Sequence, residues 1–125
     1  MQPWTCRVFP PPSTNNLYRG RRFKTREYKD WIAECTHLLG AARGRGVPLP
    51  PYHLSGVQID IRVPRNNRRD CDNYLKPIID LLAHLKVIVG DNMKHVGRVT
   101  IEPGDGIEMC VVTVSPLAAE TKVAA

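Results

Sequence analysis

Asp70 and Asp72 stand one residue apart in R-N-N-R-R-D-C-D-N-Y-L-K-P, Arg65 to Pro77, with Arg65, Arg68 and Arg69 just ahead of them. Residues two apart in an extended segment point to the same side, so an extended lead-in to a helix presents both carboxylates together. Two or three carboxylates suit Mg2+, which keeps several waters and accepts phosphate oxygens at its remaining positions. Asp91, in V-I-V-G-D-N-M-K-H, is a third carboxylate if the fold brings that turn back beside the helix start. Taken alone, a D-x-D at a strand-to-helix junction is more often a cap, through Asp72 or Asn73, and G-D-N is an ordinary turn. The arginines shift that balance. A bound metal inverts the local electrostatics and turns the acids into an attachment point for phosphate, while the arginines hold the backbone. Lys76, in the first turn of the helix, is a cation that could offset charge developing on that phosphate; the alternative is a solvated surface lysine.

A second basic cluster lies upstream. Arg19, Arg21, Arg22, Lys24, Arg26 and Lys29 crowd together with Tyr18 and Phe23 interleaved, and Glu27 is the acid among them. Cations beside aromatic rings serve backbone contact and base stacking, although a charge run is often only a solvated face. The net charge of +6 favours polyanionic partners and says nothing about fold. The histidines carry less: His84 reads as structural, and His95 lies close enough in sequence to Asp91 to reach the same site.

The elements that must hold these residues follow from hydrophobic period and turn chemistry. W-T-C-R-V-F (Trp4 to Phe9) reads as a strand stopped by Pro10, Pro11 and Pro12. S-T-N-N-L-Y-R-G-R-R-F-K has no apolar period and reads as a loop or arm. Trp31, Ile32, Cys35, Leu38 and Leu39 have the three-and-four spacing of a helix, with Thr25 as N-cap and Gly40 as its stop. V-Q-I-D-I-R-V alternates strictly and ends at Pro64. A second helix opens just after Asp72, with Leu75, Ile78, Ile79, Leu82 and Leu85 as its apolar stripe and Pro77 confined to its start. Strands over Val96 to Glu102 and Ile107 to Ser115, joined by a P-G-D-G turn, complete the order β-α-β-α-β-β. That order predicts one α+β domain over residues 1–115, two helices packed on a mixed sheet, and a C-terminal tail over 116–125.

A length of 125 residues suits a single domain with a real core. The four cysteines have no C-x-x-C pair and no histidine at zinc spacing, which argues against a structural zinc site. Neither a signal-peptide pattern nor a membrane-length apolar run occurs. The expectation is a cytoplasmic protein with free thiols and no membrane partner.

Together these features resemble the RusA family of Holliday-junction resolvases of bacteria and their phages. The resemblance runs from P-P-S-T-N-N (Pro11 to Asn16) through R-R-D-C-D-N-Y-L-K-P-I-I-D-L-L to V-I-V-G-D-N-M-K-H-V-G-R-V. Its most specific part is R-D-x-D-N-x-x-K, here Arg69, Asp70, Asp72, Asn73 and Lys76, followed by Asp91. Family members often carry two adjacent aspartates where this chain has Gly90-Asp91, and a larger aliphatic residue at Cys71. The resemblance implies a small homodimeric endonuclease that needs Mg2+, with Mn2+ as a possible substitute, and cuts four-way DNA junctions in recombination and repair. It implies Asp70, Asp72 and Asp91 as catalytic, metal-holding carboxylates and Lys76 as an accessory cation. Arg65, Arg68, Arg69, Arg19, Arg21, Arg22, Lys24, Asn15, Asn16 and Tyr18 would then contact DNA, with no small-molecule cofactor. Two rivals remain open: a non-catalytic branched-DNA-binding phage accessory protein, and a nuclease preferring flaps or forks.

Overall fold

A computed structural model describes residues 4–12, 17–20, 23–44, 56–66, 69, 72–85, 87–88 and 96–117. Strand β1 (Trp4–Val8) alternates, with Trp4, Cys6 and Val8 buried and Thr5 and Arg7 exposed. Beyond the prolines, the stretch expected to be a loop holds a short antiparallel hairpin, β2 (Tyr18–Arg19) and β3 (Phe23–Lys24). Gly20 turns it at φ +68°, a conformation glycine adopts without steric cost. The Thr25 N–H donates to the Leu17 carbonyl at 2.9 Å, and Leu17 is fully buried. One apolar side chain with a place in the core thus structures a segment that has no apolar period.

Helix α1 (Arg26–Gly44) starts as expected. The Thr25 hydroxyl accepts the Tyr28 N–H at 3.1 Å, and the Thr25 carbonyl accepts the Lys29 N–H at 3.0 Å. Thr25→Ala is expected to cost about 1 kcal/mol, read as a lowered urea midpoint with an unchanged slope. An unchanged midpoint would remove Thr25 as the cap. The helix does not stop at Gly40. The positive-φ glycines among the described residues are Gly20, Gly56 and Gly106, so Gly40 stays helical. An interior glycine costs only about 1 kcal/mol, and the alanines that follow it favour the helix.

Strand β4 (Val57–Pro64) buries Val57, Ile59, Ile61 and Val63 on one face. Helix α2 (Asp72–His84) carries Pro77 inside the helix, in its second turn, contrary to the sequence expectation. Burying an apolar side chain contributes about 1.5–3 kcal/mol, and Ile78, Leu81 and Leu82 are completely covered. Their sum exceeds the roughly 3 kcal/mol cost of an interior proline, so the helix continues through it.

Strands β5 (Val96–Gly104) and β6 (Cys110–Pro116) complete a four-stranded sheet in the order β1-β6-β4-β5. With the short β2–β3 hairpin set aside, the element order and the α+β class are those the sequence predicts. The pairing of the last two strands differs. A turn does follow β5, with Gly106 at φ +75°, yet β5 and β6 are not neighbours. Strand β4 lies between them, parallel to β5 from Val57↔Val96 to Pro64↔Gly104 and antiparallel to β6 from Val57↔Pro116 to Arg62↔Val111. Helix α2 lies in the crossover that a parallel pair requires. A β5–β6 hairpin would compete with this arrangement, which gives β4, the strand with the longest alternating apolar face, a partner on each side.

Both helices pack on the sheet. Tyr28, Trp31, Ile32, Cys35 and Leu39 of α1 join Tyr74, Ile78, Leu81 and Leu82 of α2 and the inward strand residues in one core. The Trp31 indole N–H donates to the Phe9 carbonyl at 2.7 Å, which fastens α1 to the end of β1.

Candidate nucleic-acid interface and carboxylate site

The paired-aspartate segment connects the end of β4 to the start of α2. Asp72 is the first residue of α2, and only its backbone is described; Asp70 and Asp91 lie outside the described residues, as do Arg68, Arg21, Arg22, Asn15 and Asn16. Among the described residues no group of three or more His, Cys, Asp or Glu is placed to hold a metal ion. The carboxylates that the sequence assigns to Mg2+ fit that ion by donor chemistry, since all are hard oxygen ligands.

Arg65 is exposed and pairs through Nε with Asp105 just past β5. Its backbone N–H bonds the Gly104 carbonyl at 3.2 Å, prolonging the parallel ladder. Arg69 is anchored more firmly. Its Nη2 donates to the Pro11 carbonyl at 2.6 Å, and its guanidinium carbon lies 4.4 Å from the Tyr74 ring centroid. The Nε atom is buried with no hydrogen-bond partner among the described residues. Arg69 therefore ties the proline segment after β1 to the junction carrying the aspartates, while lining a cleft of about 240 Å³ with Val63, Pro64, Arg65, Asn66 and Tyr74.

Lys76 projects from the first part of α2, about half exposed, with Nζ 3.6 Å from Oδ2 of Asp80. That oxygen also accepts the Tyr28 hydroxyl at 2.9 Å and the Tyr18 hydroxyl at 3.3 Å. The two tyrosine rings meet edge to face at 5.7 Å. Burial first, then the Asp80 carboxylate, hold the Tyr18 phenol protonated above its usual range; burial and the hydrogen bond to Asp80 do the same for Tyr28. Tyr18, read from sequence as a base-stacking residue, is thus half-buried and bonded inward. Lys24 lies with Nζ 5.7 Å from the Tyr28 ring centroid, and Arg19 is exposed on the hairpin. Asp80 was not among the candidate residues. Its sequence signal is the i, i+4 spacing from Lys76, but no local pattern announces the two tyrosines.

The thiols of Cys6, Cys35 and Cys110 are free and buried. Burial pushes Cys6 and Cys110 up to about 12 and Cys35 up to about 11. They are neutral packing groups at ordinary pH. No helix among the described residues is long and apolar enough to cross a membrane.

No protein-family model matches the chain, and no curated protein matches it.

Proposed function

We propose that this protein is a Mg2+-dependent endonuclease that resolves four-way DNA junctions as a homodimer. The observation that carries the reading is the motif R-D-x-D-N-x-x-K at a strand-to-helix junction. Strand β4 ends at Pro64, α2 opens at Asp72, and Lys76 stands exposed one turn later. A metal held there would supply an activated water and stabilise the leaving oxygen. Asp70, Asp72 and Asp91 are the residues that would hold it. Lys76 offers its ammonium to negative charge building on the phosphate. Arg65, Arg19 and Lys24 are described cations that can bind backbone phosphates, and Arg69 adds its remaining donors at the cleft. A four-way junction has near two-fold symmetry, and a symmetric dimer offers two equivalent sites for paired cuts.

The test incubates the protein with labelled four-way junctions, flaps and forks, in Mg2+ or in EDTA. Paired symmetric nicks in the junction, absent in EDTA, are expected. Tight binding without cutting under any divalent metal would make the protein a branched-DNA-binding module. Junctions cut no faster than flaps would remove the resolvase assignment.

A further inference from the structure

Asp80 lies at the meeting point of three chain segments far apart in sequence. Its Oδ2 receives Tyr18 from β2, Tyr28 from α1, and Lys76 from one turn earlier on its own helix. Ordinary surface ion pairs contribute little, and a lysine N-terminal to its acid is the weaker of the two helical orientations. Helix stability is therefore a poor reason for the pair. The carboxylate differs from a surface acid in being held: its side chain is only 21% exposed against 53% for Lys76. Tyr28, which aims its hydroxyl at Asp80, is itself wholly buried. The Lys76 ammonium also lies 5.9 Å from the Tyr18 ring centroid, so carboxylate and aromatic ring together limit where a long side chain can go.

We propose that Asp80 is a positioning residue, whose carboxylate, fixed by Tyr28 from the core, holds Lys76 in place and ties the β2–β3 hairpin to α2. Lys76 and the cations of the hairpin, Arg19 and Lys24, thereby keep a set spacing for one stretch of phosphate backbone. The catalytic consequence rests on the nuclease reading above; the positioning itself does not. An unheld lysine surrenders rotamer freedom each time it acts, and placement of a charged group is a large part of its catalytic effect.

Asp80→Asn keeps the shape and an acceptor for the tyrosines but loses the charge that holds Lys76. Three readouts separate positioning from mere structural support. In lysine labelled with carbon-13, the Lys76 Hε–Cε signal should move toward the values of a free lysine. Hydrogen exchange of the segment around Tyr18 and Lys24 should quicken severalfold in Asp80→Ala. At saturating junction, kcat should fall about tenfold in Asp80→Asn, comparable to the low end of what losing a group that orients a metal ligand costs. Asp80→Asn should add nothing further to Lys76→Ala, and Asp80→Glu should recover part of the loss. Tyr18→Phe, which removes one hydroxyl and leaves the ring, should show the same Lys76 shift at smaller size and guards against misfolding of the Asp80 variants. An unmoved Lys76 signal in both Asp80→Asn and Tyr18→Phe would overturn the proposal, as would kcat losses that multiply with that of Lys76→Ala. If the wild-type protein cuts nothing while the Lys76 signal still moves, the nuclease reading falls and the positioning stands.

Discussion

Asp70→Asn, Asp72→Asn and Asp91→Asn should each lower Mg2+-supported junction cleavage by more than about a hundredfold. Removing a group that merely orients a metal ligand already costs about 10–100-fold in affinity or activity, and these changes remove a proposed ligand. Junction binding without metal should not weaken. Each substitution deletes a negative charge from a basic chain that is to meet polyanionic DNA, so phosphate meets less repulsion. Cleavage and binding should therefore separate: nicking assays in Mg2+ fall steeply, while gel-shift affinities in EDTA hold or tighten. The caps alternative predicts the reverse pattern, with near-normal function and a modest loss of stability of about 1 kcal/mol. Cleavage by Asp70→Asn at the wild-type rate would sink the carboxylate mechanism. Metal-free binding that weakened in all three variants would sink its electrostatic half.

Folding stability should drop steeply above pH 9. In the unfolded chain the thiols of Cys6, Cys35 and Cys110 ionise near 9.0, whereas in the fold burial holds them to about 12, 11 and 12. Between those limits the folded chain binds more protons than the unfolded one, and stability falls as pH rises. The stabilisation is complete below pH 9 and is lost through the folded values. Each thiol costs about 1.4 kcal/mol per pH unit in that window, so three together cost about 4 kcal/mol per unit around pH 10. Tyr18 and Tyr28, also raised, act in the same direction once the unfolded phenols ionise near pH 10. Against a typical total of about 5–15 kcal/mol, that is a large fraction of the stability of the fold. Urea midpoints at pH 7, 9, 10 and 10.5 would show it as a progressive decline beginning at 9. A Cys6→Val, Cys110→Val variant should decline less steeply, because both volumes are filled without a titrating group. A midpoint constant from pH 9 to 10.5 would contradict the burial of these thiols.

The site was legible unevenly. The D-x-D-N-x-x-K pattern can be read from residue order alone, and α2 does open at Asp72 with Lys76 exposed in its early turns. Arg69 looks in sequence like one more cation for phosphate. In the fold its guanidinium lies over Tyr74 and donates to Pro11, 58 residues away. Tyr18 looks like a stacking residue in a basic loop but hydrogen-bonds to Asp80, 62 residues on. In both cases the side-chain chemistry was readable and its partner was not. Hydrogen bonds over such separations are set by which elements the core brings together.

What the sequence determined by itself is local and periodic. Alternation over Val57 to Val63 specifies a half-buried strand, the spacing of Trp31, Ile32, Cys35 and Leu39 a helical face, and Thr25 the place where that helix begins. Each depends on neighbours a few residues away, where backbone geometry repeats. Only the tertiary structure decided that Pro77 and Gly40 sit inside helices, that Leu17 anchors the arm, and that β4 separates β5 from β6. Those outcomes are competitions for burial. A helix runs through a proline when its apolar stripe is fully covered, and a strand takes the middle of a sheet when its inner face gains most from two neighbours.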